Sequence, residues 1–461
     1  MNLHRLLPVV ASMALTSAHA VAGPAPAPSL SIIQGKVSDE KVGKITLYAV
    51  VEGRKEEVAN TLVDQQHAFA FAMPAPQEGF YYLSATGKRG HDTRVYVKPG
   101  DQLQITLNDY GYTLQAGSAE NKALQKWDEQ LNVIMKPAVT IDSTTYLSYF
   151  PKLEAFVPKV AGLKTVVNTP NKKFNDLLKY MMDIDVEHAA MLFLLTPRTA
   201  HPDHSQYPAF YKQIIQSKKY CDARLLQDGD GAAVIRLYST FNMILDTDKE
   251  RPKNTERLSK EAALFCNDSI KAVAITESLG NYKTFDALTE AFEPVKQYLV
   301  TDVQKQRYLA YEKTVRKFAA GEAAMNFSGE DLTGKKISLS DLKGKVVVVD
   351  VWATWCGPCK AELPYLSKLE EEMEGKNVTF LGCSVDEAKD KEKWMDFVKK
   401  QEMKGTQIFM SGWSDITKFY DINGIPRFMV FDQKGNIVNI DAPRPSTPEL
   451  KALIEKLLAK G

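Results

Sequence analysis

Residues 346–360 read VVVVDVWATWCGPCK, and this stretch decides the fold of the last part of the chain. It opens on a continuous run of valines, the pattern of a strand that is buried on both faces. Cys356 and Cys359 follow at the point where this strand ends and a helix is predicted to begin. The stretch therefore predicts a strand, a tight turn that carries two cysteines, and a helix.

The two cysteines are suitably spaced for disulfide exchange. At the start of a helix, Cys356 faces unpaired backbone N–H groups and the positive end of the helix dipole, and both stabilise the reactive thiolate. Cys359 lies one turn later on the same side, where it can close an intramolecular disulfide. Half of a zinc site is the alternative, but no second Cys/His pair stands at a suitable spacing. We therefore expect a redox-active Cys356–Cys359 pair, with no metal and no cofactor.

The segments after the cysteines alternate between strand and helix. Strands are predicted at residues 378–381 and in a hairpin over residues 428–438, and helices at residues 391–400 and 448–459. A sheet with parallel βαβ pairing and a terminal antiparallel hairpin follows from this order.

The motifs resemble two related groups of proteins. Residues 350–360 are similar to the active-site segment of thioredoxin, and Gly424-Ile425-Pro426 resembles its cis-proline loop. Residues 331–335 and 362–364 resemble the exported TlpA/ResA-type thiol-disulfide oxidoreductases. The resemblance covers roughly the last third of the chain and implies a thioredoxin fold over residues 325–461.

Roles for the polar residues follow from the resemblance. It implies that Cys356 is the attacking thiolate, that Cys359 is the resolving thiol, and that Asp350 relays a proton to or from the buried cysteine. Burial alone predicts a raised pKa for Asp350, a lone carboxylate in an apolar strand. Glu362 matches the acidic residue that TlpA/ResA-type proteins use near the site; otherwise it is an exposed glutamate in the first helical turn. Which carboxylate does the acid–base work stays open.

A substrate-binding surface is also implied by the resemblance. Pro426 would be cis and pack against the disulfide, while the backbone of Ile425 would pair with an extended substrate segment. Trp355 lies beside the cysteines and is expected to contribute to this surface without taking part in the chemistry.

The beginning of the chain predicts export. Residues 1–20 have a positive Arg5, an apolar run and the small-residue site Ala18-His19-Ala20, as in a secretory signal peptide. We expect cleavage after Ala20 and a periplasmic location. Residues 21–28 form a Pro-rich linker.

The middle of the chain divides into two regions. Short alternating runs over residues 29–118 predict an antiparallel all-β sandwich or partial barrel, and they weakly resemble an uncharacterised β-domain that precedes such thioredoxin modules. The period becomes helical over residues 119–324, which predicts an all-α domain. The expected protein is therefore multidomain, with an all-β, an all-α and an α/β thioredoxin-like domain.

The composition of the chain limits which partners and disulfides are expected. The 461-residue chain has a formal net charge of +1, which gives no electrostatic case for nucleic acid as a partner. Five cysteines are too few for a disulfide-stapled scaffold. Cys221 and Cys266 either form a structural disulfide or remain reduced and buried, and Cys383 is expected to be an inert core thiol.

The leading hypothesis is a periplasmic reductant of protein disulfides. The Cys-Gly-Pro-Cys motif with Ile425 before the cis-proline is the combination of reducing thioredoxins. Its substrates would be disulfide-containing exported proteins, and a membrane thiol transporter would supply the electrons. Two alternatives stay open. One is an oxidase or isomerase with a much less negative potential. The other is a cell-envelope binding protein whose thioredoxin module is accessory.

Overall fold

The computed structural model describes residues 29–85, 92–108, 111–140, 144–196, 201–216, 218–245 and 253–459. The predicted signal peptide and linker, residues 1–28, lie outside these residues. Two compact units make up the chain. Among the described residues, the first holds residues 29–49, 57–129 and 168–175, and the second holds residues 50–56, 130–167 and 176–459. The domain boundaries after residues 118 and 324 stay a prediction.

The N-terminal region is all-β, as predicted. Its strands are β1 Leu30–Val37, β2 Lys44–Val51, β3 Arg54–Leu62, β4 Ala68–Pro74, β5 Gly79–Ala85, β6 Thr93–Val97, β7 Gln102–Asn108 and β8 Gly111–Ala116. They form two four-stranded sheets, β4-β1-β7-β8 and β3-β2-β5-β6. Alternate side chains of both sheets share one core, with Ile33 and Ile105 from the first sheet and Leu47 and Val95 from the second.

One strand pair departs from the predicted antiparallel arrangement. β1 and β7 are parallel, with Ile33 opposite Leu103. The expectation of an antiparallel sandwich is therefore wrong for this pair. Alternation and turn residues indicate where strands lie, but they carry no information on pairing between strands this far apart in sequence.

The central region is helical, as predicted. Its helices are α1 Ala119–Val139, α2 Tyr146–Phe156, α3 Lys159–Thr165, α4 Lys172–Leu195, α5 Ala209–Ile214, α6 Gly231–Leu245, α7 Asn254–Ala263, α8 Asp268–Ser278, α9 Phe285–Phe292 and α10 Asp302–Arg316. Leu258, Ile275, Leu288 and Val315 belong to one core within the second unit. No helix in the described ranges combines the length and the apolar composition needed to cross a bilayer.

The remaining cysteines outside the C-x-x-C motif have different states. Cys221 and Cys266 are joined by a disulfide, with their Cα atoms 4.9 Å apart. Of the two alternatives left open by the sequence, the structure therefore has the bonded one. Cys383 is unbonded and buried, the environment predicted for it.

The C-terminal region has the predicted thioredoxin-like fold. Its elements are β9 Ser328–Glu330, β10 Lys336–Ser338, β11 Val346–Trp352, α11 Gly357–Glu372, β12 Val378–Ser384, α12 Lys391–Lys400, β13 Thr406–Phe409, α13 Asp415–Phe419, β14 Arg427–Phe431, β15 Ile437–Ala442 and α14 Pro448–Leu458. The seven-stranded sheet has the order β10-β9-β13-β12-β11-β14-β15. The short elements β13 and α13 are absent from the sequence prediction.

Strand β11 lies in the interior of this sheet, parallel to β12 and antiparallel to β14. All seven of its residues are buried. Val347 and Val349 pack into the core cluster that contains Trp394, while Val346 and Val348 pack with residues of α11 and α14. Burial on both faces fixes the register of β11, and with it the place where the chain leaves the sheet and enters α11.

A first prediction concerns the Cys221–Cys266 disulfide, which closes a loop with a sequence separation of 45. The double variant Cys221→Ala/Cys266→Ala should lower the free energy of unfolding by roughly 2–4 kcal/mol, because the unfolded chain regains entropy. Chemical denaturation followed by circular dichroism measures this loss.

Thiol titration of the unfolded, unreduced protein provides the control. With both disulfides formed, the titration should detect a single free thiol, that of Cys383. Three free thiols in protein whose Cys356–Cys359 pair is oxidised would show that the predicted bridge is absent.

Candidate active site

The two cysteines of the motif sit at the start of α11. Cys356 directly precedes the helix, and its sulfur accepts a hydrogen bond from the backbone N–H of Cys359 at 3.1 Å. Cys356 and Cys359 form a disulfide with their Cα atoms 5.3 Å apart. In the reduced protein the same N–H group and the helix dipole favour a thiolate at Cys356. This is the arrangement that the residue spacing predicted.

The turn before Cys356 is held by a buried carboxylate. Asp386 accepts hydrogen bonds from the backbone N–H of Thr354 at 2.9 Å and from its hydroxyl at 2.7 Å. The Ser384 hydroxyl donates to the same carboxylate at 2.7 Å. Asp386 was not predicted from the sequence. The sequence feature that could have identified it is a lone acidic residue just after the carboxyl end of β12, the strand that runs parallel to β11 and beside it.

Asp350 is buried in the middle of the sheet. It lies opposite Gly382 on one neighbouring strand and Phe428 on the other, and no donor among the described residues reaches its Oδ1. Burial, and secondarily the negative charges of Glu362 and Glu370, raise the pKa of Asp350 to about 8. This is the direction predicted from the sequence. A carboxyl group with this pKa exchanges a proton close to neutral pH.

Glu362 is buried, which rules out the alternative of an exposed glutamate in the first helical turn. It is 7% exposed, in the second turn of α11 and on the same buried face as Cys359. The backbone N–H and the hydroxyl of Ser446 each donate to its carboxylate at 3.0 Å. Arg444 lies 3.8 Å from the same group. The loop before α14 covers Glu362, a contact that the local sequence around the helix could not reveal.

The predicted substrate-binding residues differ in burial. The Ile425–Pro426 peptide bond is cis, as predicted. Ile425 is half-buried and packs against the apolar cluster that contains Cys356 and Cys359. Trp355 is 54% exposed and turns its side chain away from the core. Ile425 and the two cysteines therefore share one apolar core, and the indole of Trp355 is exposed next to Cys356 in the sequence.

The chemistry available to this site comes from thiols and carboxyl groups. In the parts of the chain that the structure describes, no group of three or more His, Cys, Asp or Glu side chains is placed to hold a metal ion. The arrangement can exchange two electrons through Cys356 and Cys359, with Asp350 and Glu362 as buried carboxyl groups behind them.

Comparison with known proteins connects the site to disulfide chemistry. The Redoxin family model matches residues 319–454, which include both cysteines. The thiol-disulfide oxidoreductase ResA of Bacillus cereus is 31% identical over 150 residues, covering 32% of this chain and 85% of that protein. The thioredoxin-like protein YneN of Bacillus subtilis is 28% identical over 148 residues, covering 32% and 86%.

A solved structure is also similar in sequence. It is the thioredoxin domain of a thiol-disulfide oxidoreductase from Bacteroides vulgatus, which is 32% identical, with a TM-score of 0.28. The match covers 30% of this chain and 98% of that structure.

A second prediction concerns Asp350. Its carboxyl group ionises near pH 3.9 in the unfolded chain but only near pH 8 in the folded one, so unfolding releases a proton between these values. The free energy of unfolding of the oxidised protein should therefore fall as the pH rises through this window, by on the order of 5 kcal/mol, and then level off. Asp350→Asn should remove this fall, which denaturation curves measured between about pH 4 and pH 9 detect.

The exposed residue Asp396 provides a matched control. Asp396→Asn should follow the wild-type curve at every pH. If Asp350→Asn and the wild-type protein give parallel curves, Asp350 does not carry the raised pKa assigned to it.

Proposed function

Because this chain belongs, through its C-terminal domain, to the ResA-type family of thiol-disulfide oxidoreductases, we propose that it reduces disulfide bonds in exported proteins. The observation that carries the proposal is the position of Cys356 at the N-terminus of α11, with the Cys359 N–H bonded to its sulfur. Such a thiolate is both stabilised and nucleophilic.

The reaction proceeds in two exchange steps. The Cys356 thiolate attacks one sulfur of the substrate disulfide, which forms a mixed disulfide and releases the other sulfur as a thiolate. Cys359 then transfers its proton to the Asp350 carboxylate and attacks the Cys356 sulfur. The substrate leaves as a dithiol, and the Cys356–Cys359 disulfide remains on the protein.

The buried carboxyl groups favour the reducing direction. Asp350 and Glu362 are buried acidic groups, and Glu362 lies one helical turn after Cys359, where any negative charge opposes formation of thiolates. Such charges offset part of the stabilisation that the start of α11 gives the Cys356 thiolate, and a less stabilised reduced form means a lower reduction potential than that of strong oxidants. The Gly-Pro pair between the cysteines and Ile425 before Pro426 fit the same direction.

The substrate binds across the rim of the site. An extended substrate segment pairs with the backbone of Ile425, beside the cis peptide bond of Pro426 and the exposed ring of Trp355. Main-chain pairing of this kind places a substrate sulfur next to Cys356 without requiring a particular side-chain sequence.

The proposed location is the periplasm. Residues 1–20 have the composition of a signal peptide, which would be removed after Ala20. In an oxidising compartment the site needs a source of electrons, for which a membrane thiol transporter is suited. The β-domain of residues 29–118 and the helical domain of residues 119–324 then accompany the thioredoxin-like domain of residues 325–461.

A third prediction tests this function. Cys359→Ser leaves Cys356 able to attack but removes the resolving thiol, so substrates should stay attached as mixed disulfides. Mixing this variant with a periplasmic extract should give additional species on non-reducing gels that disappear with dithiothreitol. Mass spectrometry of these species identifies the attached proteins.

The double variant Cys356→Ser/Cys359→Ser is the matched control and should trap nothing. If Cys359→Ser also traps no protein, the proposed reaction is contradicted. A Cys356→Ser variant that keeps every cellular activity would instead favour a binding protein with an accessory thioredoxin module.

A further inference from the structure

Asp350, Gly382 and Gln407 form a row across three neighbouring strands of the sheet. Asp350 on β11 lies opposite Gly382 on β12, and Gly382 lies opposite Gln407 on β13. Residues in register on neighbouring strands point to the same face of a sheet. Gly382 contributes no side chain, and a Cβ atom built there would overlap the amide of Gln407. The Gln407 side chain therefore lies over Gly382, on the side of Asp350.

Two oxygens in this row accept no hydrogen bond from the described residues. They are Oδ1 of Asp350 and Oε1 of Gln407, and both are buried. Nε2 of Gln407 donates to the Lys404 carbonyl at 2.8 Å, which fixes the orientation of the amide. A buried acceptor without a donor costs about 1–3 kcal/mol, and a water that bridges such groups removes this cost.

A cavity of about 320 Å³ lies at the Gln407 end of this row. Gln407 lines it together with Leu366 and Glu370 of α11, Phe397 of α12 and the side chain of Lys404. This volume accommodates several water molecules. Glu370 is half-buried in the cavity wall, and its charge acts on Asp350.

We propose that Gln407 and Glu370 form the route by which a proton passes between Asp350 and solvent during disulfide exchange. Gln407 holds a water with its amide oxygen, and Glu370 takes the proton from that water and releases it at the mouth of the cavity. Both are positioning residues, because neither touches the substrate or the sulfurs. The inference rests on the proposed function, in which Asp350 accepts the proton of Cys359.

The proton balance of the second exchange step explains why a route is needed. Cys359 loses its proton to Asp350, the Cys356–Cys359 bond forms, and the bond from Cys356 to the substrate sulfur breaks with its electron pair on the substrate. The substrate thiolate takes a proton from solvent. Asp350 is then left protonated in a closed core and must release its proton before the next cycle.

The two carboxyl groups have pKa values close enough for this transfer. Burial raises the pKa of Glu370 to about 7, against a smaller lowering by Lys404, while the pKa of Asp350 is raised to about 8. The pKa values of the two groups differ by about one unit, so transfer from Asp350 to Glu370 is mildly unfavourable, and release of the proton from Glu370 to solvent completes it. The other titratable groups facing this pair or the cavity are Glu362, Lys360, Glu402, Lys404 and Cys383.

The test is a stopped-flow reaction of the reduced full-length protein with the chromogenic disulfide dithionitrobenzoate. Attack by Cys356 releases one coloured thiolate in a first phase, and attack by Cys359 releases the other in a second phase. Near pH 6.5 most molecules begin with Asp350 protonated, so the proton must leave before Cys359 can react. Above about pH 9 Asp350 is already ionised and the route is not needed in the first turnover.

The expected result is specific to one phase and one pH range. Glu370→Gln and Gln407→Leu should slow the second phase roughly 10-fold near pH 6.5, leave the first phase unchanged, and have little effect above about pH 9. If Gln407→Leu fails to fold, Gln407→Met replaces it, since it keeps the length without the amide oxygen. Glu372→Gln is the control, because Glu372 lies on the same helix and pairs with Lys451 at 2.8 Å.

Two outcomes overturn the proposal. If the rate constants of the second phase stay within about twofold of wild type at every pH, the proton uses another route. If the second phase is slowed equally at all pH values, the residues act only on the structure. A reduced wild-type protein that releases no second thiolate contradicts the proposed function itself, which separates the two failures.

Discussion

The burial of β11 on both faces is the constraint on which the active site depends. Its seven residues are enclosed by β12, β14 and the helices on either side, so the strand has one register. That register sets where the chain leaves the sheet, and it places Cys356 at the first turn of α11 with the N–H of Cys359 on its sulfur. Asp386 then holds the intervening turn through Thr354. The reactivity of Cys356 therefore follows from the packing of a strand that contains no cysteine.

The same strand places the carboxyl group of Asp350 in the protein core, where its negative charge is poorly solvated. Asp350 has a pKa near 8 because burial opposes its ionisation and because Glu362 and Glu370 lie on the helix above it. Such a group reduces the stability of the folded protein at alkaline pH, and buried groups with pKa values shifted in this way are concentrated at functional sites. Glu362 differs from Asp350, because Ser446 and Arg444 satisfy its charge. In the proposed reaction Asp350 is therefore the group that exchanges protons, and the charge of Glu362 raises its pKa.

The sequence predicted those parts of the site whose conformation depends only on residues adjacent in the chain. A run of valines, two cysteines one helical turn apart and an Ile-Pro pair are contiguous, and each has a conformation that follows from its own residues. Partners brought together from distant segments were missed. Ser446 reaches Glu362 across 84 residues, and Asp386 reaches Thr354 across 32. Gln407 came close to Asp350 only through the pairing of β13, a strand too short to be recognised. The parallel pairing of β1 with β7 escaped prediction for the same reason, since periodicity describes the faces of a strand and not its neighbours.

The measurement that tests the account most directly is the reduction potential of the Cys356–Cys359 pair, determined by equilibrating the protein with dithiothreitol buffers of known composition. A thiolate held by a single N–H group, with acidic groups behind it, should give a potential near or below about −270 mV, the value of thioredoxin. A potential approaching about −120 mV would mean that the reduced form is strongly stabilised and that the protein is an oxidant. Such a value would contradict the electrostatic account of the site and the direction of electron flow derived from it.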